Sequence, residues 1–350
     1  MSPRQPMPGP AFAVLPAVIA LLALLNLHLP YLLVLPGPVE ETTALVSIEG
    51  SPTHPPTGKL YLTTVVLGPT DRRLLVADYL RAKLEPSWEV VPFEVYYPPQ
   101  RTPEQVDQAN KADIEDSKST ATTAALDLLG YRQDVTGAGV LIDRVQEGFP
   151  AASVLRTGDL IVAANGQRVC SPVELVLALR DHPAGSPVGM TVWRDGAPRD
   201  LSVGTAVHPE EQRTVVGVDV VRAPSNAPVK VSIDSRNIGG PSAGLLFALA
   251  VTELLDQEDL TRGRTIAGTG TITCDGRVGA VGGLAQKIAS AEREEAALFL
   301  VPAPELRDAC RLTRTLPVAG VSTLADAVSA LRHGPAEGMS CTTLAGGRRS

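Results

Sequence analysis

The sequence predicts an α/β (α+β) chain of two folded units behind one apolar, membrane-crossing N-terminal helix. Three observations carry that fold class. Residues Ala11 to Leu35 contain no Asp, Glu, Lys or Arg. Two later stretches pass from a strand-like run through glycine-rich turns into helical periodicity, at 229–255 and 267–293. Between them and the N-terminus, about Gly130 to Val207, short strand patterns are punctuated by tight turns around a single helix.

The N-terminal run is long enough to cross a bilayer core of about 30 Å at ~1.5 Å per helical residue. Arg4 lies before it and Glu40 and Glu41 after it, so the positive-inside rule puts everything beyond Pro36 outside the cytoplasm. A cleaved signal peptide and a buried soluble helix are the competing readings. Pro16, Asn26, His28 and Pro30 interrupt the run, but no small-x-small cleavage site follows Leu25.

Strand-like segments follow in LVSIEG and KLYLTTVVL, within 43–97, and helical periods occupy Leu74–Leu84 and Glu104–Leu129. In the compact middle unit the pattern predicts a strand at Val140–Val145, a short helix at Phe149–Leu155 and a buried strand at Leu160–Ala164. Asn165-Gly166 is a hairpin turn whose residues tolerate positive φ. Ser171 caps a helix with Pro172 at its first position, reaching Arg180. Two strands, Gly189–Arg194 and Pro198–Val203, close the unit around Asp195-Gly196.

The run GVLIDRV, the P-A-A helix and LRTGDLIVAANGQRV resemble the PDZ family of the bacterial protease-associated type. That resemblance implies β-augmentation, in which an extended peptide adds a strand to an exposed edge and its carboxylate sits among backbone N–H groups. It places the groove between Val140–Val145 and Pro172–Arg180, with Gly139, Val140, Leu141 and Ile142 as peptide-binding residues and the 130–139 loop as the carboxylate nest.

Net charge −7 argues against nucleic acid, which needs clustered Lys and Arg; Arg72, Arg73, Arg262 and Arg264 form scattered, solvated pairs. Lysine is scarce: Lys59, Lys83, Lys111, Lys118, Lys230 and Lys287 are the whole set. Cys170, Cys274, Cys310 and Cys341 show no metal-ligand spacing and read as buried free thiols, with a Cys310–Cys341 disulfide open if the unit lies outside the cell. No metal and no cofactor are expected.

The chemistry-bearing stretch is Asn237-Ile238-Gly239-Gly240-Pro241-Ser242-Ala243-Gly244, ahead of the apolar run LLFALAVTELL. Ser242 falls at a strand–turn–helix junction, where unpaired N–H groups and the helix dipole favour a nascent oxyanion. No histidine lies in a motif that could serve it. A lysine can act as base if burial lowers its pKa, and Lys287 follows the glycine-rich GRVGAVGG and opens a helix. Gly282 and Gly283 are read as clearing space for close packing.

Four segments in order resemble the proteolytic domain of Lon-type proteases: GPSAG (240–244), AGTGTIT (267–273), GRVGAVGGLAQK (276–287) and LVPAPE (300–305). The resemblance implies Ser242 as nucleophile and Lys287 as base. It implies Thr269 as the residue that orients the amine, with Gly240 and Ala243 at the oxyanion site. Gly239 stands where many members carry an acid; Asp234 and Asn237 are possible substitutes. No GxxxxGK[ST] loop occurs, so ATP-independent cleavage of flexible protein or peptide segments is expected. The resemblance extends to membrane-anchored Lon-like PDZ proteases.

The expected division is 1–36 anchor, 37–129 β/α region, 130–207 PDZ-like unit, 208–335 proteolytic unit and 336–350 flexible tail. The 37–129 region is read as the first part of a peptidase domain into which the PDZ-like unit is inserted. A homo-oligomer fits the family. Two other function classes compete: a non-catalytic scaffold on a membrane stalk, and a phosphate-binding kinase-like fold that would use the same helix N-terminus for phosphate.

Overall fold

A computed structural model describes residues 11–68, 74–131, 139–209, 212–224, 227–313 and 315–341. Arg72 and Arg73, most of the expected carboxylate nest (132–138) and residues 342–350 lie outside the described residues.

The apolar N-terminal run does not form one span. Helix α1 covers Ala11–Leu25 only. Residues from Tyr31 join strand β1 (Tyr31–Glu41), with Leu32, Leu33 and Val34 buried in a sheet. No described helix is long and apolar enough to cross a membrane. An apolar run of this kind fits a buried strand as well as a membrane helix, and pairing with two neighbouring strands decides for the strand.

Strand β2 (Val46–Glu49) and the longer β3 (Lys59–Leu67) follow. After Glu89–Pro92 (β4), the 26-residue helix α2 (Pro103–Leu128) begins at a capping box. Thr102 accepts from the Gln105 N–H while the Gln105 side chain accepts from the Thr102 N–H, and Pro103 sits where no N–H is needed.

The middle unit has strands β5 (Val140–Val145) and β6 (Leu160–Ala164), helix α3 (Pro172–Arg180), and strands β7 (Val188–Arg194) and β8 (Ala197–Val203). Its sheet runs on past Val207, because Val218–Arg222 (β9) pairs antiparallel with β5. The order is β8-β7-β6-β5-β9. Its core gathers Ile142, Ile161, Leu175, Leu179, Met190 and Val192. Asp159 anchors the Arg156–Asp159 turn by accepting from the Arg156 N–H and pairing with Arg194 at 2.6 Å.

The second unit continues with β10 (Lys230–Ile233), the buried helix α4 (Gly244–Leu255), and β11 (Thr265–Gly268). The short hairpin β12 (Thr271–Ile272) and β13 (Val278–Gly279) comes next, then helix α5 (Leu284–Arg293), β14 (Leu298–Pro302) and β15 (Val318–Val321). Its sheet has the order β15-β14-β11-β3-β1-β4. Strands on both sides of the middle unit in sequence therefore pair with each other: β3 pairs parallel with β11 in this sheet, and β2 pairs antiparallel with β10 in a separate two-stranded sheet. Helix α4 is apolar from Gly244 to Val251, where every residue is buried, and carries Thr252 and Glu253 near its end. Truncating Leu246 or Phe247 to Ala would cost roughly 2–5 kcal/mol.

The tail expected from 336 packs back in its described part. Gly320 N–H donates to the Met339 carbonyl, and Cys341 is bonded to Cys310. The thiol expectation is likewise corrected: all four cysteines are paired, Cys170 with Cys274 and Cys310 with Cys341.

Candidate active site

Gly240 has φ +79, a region open to glycine, and turns the chain into a single 3-10 turn, Pro241–Ala243, before α4 begins at Gly244. Ser242 lies in that turn, half-buried, and not inside the helix proper. The turn is held from α2: Gly240 N–H donates to the Asn110 carbonyl at 3.0 Å, and Ser117 Oγ donates to the Pro241 carbonyl at 3.2 Å. A Cβ at Gly244 would sit 2.9 Å from Ser117 Oγ and from Ile272, so only glycine lets α2, α4 and β12 meet there.

Thr269 and Gly270, just before β12, grip the same turn from the other side. Gly270 N–H donates to the Ser242 carbonyl at 3.0 Å, and Leu245 N–H donates to the Gly270 carbonyl at 3.0 Å. Thr269 Oγ1 donates to the Ser242 carbonyl at 3.3 Å and accepts from Lys287 Nζ at 3.0 Å.

Lys287 reaches this point because Gly283, at φ +68, starts α5 in a backbone conformation side chains disfavour. A Cβ at Gly283 would lie 2.5 Å from Val65, whereas one at Gly282 would meet nothing, so one glycine of the pair provides the close approach. Lys287 is 3% exposed. Burial pushes its amine down from 10.5 to about 8, and the Glu305 carboxylate opposes that shift. Glu305 is itself held by the Val281 N–H at 2.8 Å. At pH 7 about 10% of such an amine is neutral, far more than for a solvated lysine.

Ser242, Lys287, Thr269, Gly240 and Ala243 are thus gathered around one turn. Ser242 Oγ and Lys287 Nζ share no hydrogen bond; Thr269 connects them through the Ser242 carbonyl. Catalytic hydrogen bonds in unliganded sites are often longer than in the reacting complex. At Gly239 a Cβ would lie 3.3 Å from the Asn110 Cβ. Asp234 is occupied with the Arg236 N–H, and neither it nor Asn237 bonds to Ser242 or Lys287.

The expected peptide groove is displaced. The edge of β5 is taken by the chain itself, with Leu141 opposite Val221, Ile142 opposite Val220 and Val140 opposite Arg222. The Gly139 carbonyl accepts from the Ala223 N–H, and Val140 and Ile142 are buried. The terminal strand is β9, and a cleft of about 250 Å³ lies between it and α3, lined by Leu175, Val176, Leu179, Val216, Gly217 and Val218. The sequence signal was present in VVGVDVVR, apolar residues around one glycine, but it falls beyond the boundary drawn at Val207. A cleft of about 600 Å³ runs between α2 and β10 past Lys118 and Arg222; neither Ser242 nor Lys287 lines it.

Among the described residues one cluster has metal-ligand types, Cys170, Glu174 and Cys274. Its sulfurs are bonded to each other, and both Glu174 oxygens accept backbone N–H groups at 2.7 Å, from Cys170 and Cys274. The disulfide consumes both thiolates that such a cluster would offer a metal.

Two segments match known families. Residues 127–205 match the model of the PDZ domain, and 228–333 match that of the Lon protease (S16) C-terminal proteolytic domain. Among curated proteins, a probable periplasmic serine endoprotease DegP-like from Marinomonas sp. (strain MWYL1) is 40% identical over 60 residues, 17% of this chain and 13% of that protein. Lon protease 2 from Herpetosiphon aurantiacus is 44% identical over 69 residues, 20% of this chain and 8% of that protein. The chain therefore spans a small fraction of the relatives it matches. Among solved structures, the PDZ domain of an SdrC-like protein from Listeria monocytogenes shows 23% identity and a TM-score of 0.23, covering 24% of this chain and 88% of that one. A solution structure of a Geobacillus thermodenitrificans protein shows 28% identity and a TM-score of 0.22, covering 24% of this chain and 97% of that one.

Proposed function

We propose that the chain is an ATP-independent serine endopeptidase with a Ser242/Lys287 dyad, and that its PDZ unit recruits or gates protein substrates. The observation that carries this reading is the buried Lys287 amine, lowered to about 8 and bonded to Thr269, one residue's backbone away from Ser242. Neutral Lys287 takes the Ser242 proton as Oγ attacks a peptide carbonyl. N–H groups around Ser242–Ala243 stabilise the oxyanion, since the Gly240 N–H is held by the Asn110 carbonyl and Pro241 has none. The protonated amine then donates to the leaving amine, and the same lysine activates water against the acyl-enzyme.

Substrates are flexible segments or exposed tails, because the chain has no phosphate loop to drive unfolding. In this reading their C-termini dock between β9 and α3. The two disulfides fit an oxidising compartment outside the cytoplasm. Contact with the membrane falls to α1, whose Val18, Ile19, Leu21, Leu22 and Leu24 are exposed.

The scaffold reading has one observation in its favour, the missing direct Ser242–Lys287 hydrogen bond. Cleavage of an unstructured protein by the purified chain, with and without ATP, decides between them. Activity that needs no ATP and is lost in folded Ser242→Ala and Lys287→Ala variants supports the peptidase. Equal activity in all three proteins refutes the dyad, and no activity in any of them supports the scaffold.

A further inference from the structure

The first turn of α3 is fastened to the catalytic unit by a disulfide and by side-chain hydrogen bonds. Cys170 and Cys274, 104 residues apart in sequence, are both buried and bonded to each other. Glu174 is also buried. Its carboxylate accepts from the Cys170 N–H and the Cys274 N–H, each at 2.7 Å, so one side chain spans the same junction as the disulfide. Ser171, the cap of α3, donates to Asp116 on α2 at 3.0 Å. Asp116 also pairs with Arg222 at the end of β9, and Arg222 donates to the Cys170 carbonyl at 3.0 Å.

Each end of this junction has a functional neighbour. On one side, α3 and β9 are the two walls of the cleft that holds Leu175, Val176 and Leu179. On the other, Cys274 ends the short segment that starts at Thr269 and Gly270, the residues gripping the Lys287 amine and the Ser242 carbonyl. A strand added to β9 would press on α3, and α3 cannot shift without pulling on residue 274. Covalent and hydrogen-bonded contact is continuous from groove to catalytic turn.

We infer that the Cys170–Cys274 disulfide and Glu174 form a positioning clip that transmits occupancy of the α3–β9 groove to the Thr269–Cys274 segment. The activity part of its test rests on the Ser242/Lys287 reading; the exchange part does not. Neither cysteine nor Glu174 touches the reacting atoms, so all three act through Thr269 and Gly270.

The test uses the full chain as wild type, Cys170→Ala/Cys274→Ala and Glu174→Gln. The probe is a ten-residue peptide with an apolar last residue and a free carboxylate; its C-terminal amide is the control. In wild type the free acid should slow amide hydrogen exchange across 269–277 by about tenfold, and the amide should not. It should also change kcat on a short internal peptide by about fivefold with little change in KM. Both variants should bind the probe with Kd within about threefold of wild type but lose the exchange and kcat responses. Glu174→Gln carries the test if the double variant does not fold. Variants that respond like wild type, a bound probe without protection in wild type, or no binding of the probe would each overturn the clip. Exchange coupling in a chain that cleaves nothing would keep the clip and remove the peptidase.

Discussion

Burying Lys287 should weaken the fold, and the size of the effect follows from its surroundings. The amine is 3% exposed and its pKa falls from 10.5 to about 8, with burial the dominant cause. That difference corresponds to roughly 3 kcal/mol against the folded state, at about 1.4 kcal/mol per tenfold change. The sign follows from proton binding. Between about 8 and 10.5 the unfolded chain holds the proton and the folded chain does not, so stability rises with pH across that window. Below about 8 the whole penalty is present, and above 10.5 it is gone. Lys287→Met removes the titrating group while keeping an unbranched apolar stem of similar length. At pH 7 the variant should be more stable than wild type by about 1–3 kcal/mol, the lower figure allowing for the lost bond to Thr269. The advantage should shrink as pH rises from 8 toward 10.5. Urea unfolding of both proteins with disulfides intact, at several pH values between 6 and 10, measures the difference directly. A variant less stable than wild type, or a difference flat in pH, would show that the amine is hydrated in solution. A hydrated Lys287 would stay protonated near neutral pH and could not act as the base.

The remaining predictions concern activity, a second buried acid and the groove. In a peptidase assay kcat/KM should rise with pH through a limb near 8, because the neutral amine is the active form; a limb near 6.5 would point to a histidine. Glu253, buried near the end of α4, has its carboxyl pushed up to about 8, chiefly by burial and then by Asp259. Its folded form keeps a proton that the unfolded form loses above about 4.5, so wild-type stability should fall from pH 5 to 8. Glu253→Gln should lack that fall, and parallel pH curves in denaturant would refute it. Val176→Glu, on the groove wall of α3, should weaken binding of a C-terminal apolar peptide by about tenfold in a fluorescence anisotropy titration, since it puts a charge among apolar partners. Unchanged affinity would place the groove elsewhere.

Much of the candidate site was legible because its residues are local in sequence. Gly240-Pro241-Ser242 and Gly283 to Lys287 are short motifs whose turn chemistry is written beside the functional residue. Thr269 could be named from its segment, although its two hydrogen bonds, accepted from Lys287 and donated to the Ser242 carbonyl, are tertiary facts. Sheet membership was harder to read. Tyr31–Leu35 looks the same as a membrane helix until β3 and β4 are seen on either side of it. The strand β9 sits after a sequence gap from β5, so the edge it covers could not be found from local alternation. The disulfide pairs join residues far apart in sequence, and spacing carries no signal for such pairs.

The parallel pairing of β3 with β11 joins Lys59 to Thr265 across most of the chain. Such a pairing cannot form during synthesis until that distant strand has left the ribosome, and closing so long a loop is slow. The unit of 140–222 carries its own apolar core and can collapse first. Once folded, it replaces a long flexible stretch with a compact body, and the effective loop that β3 and β11 must close becomes shorter.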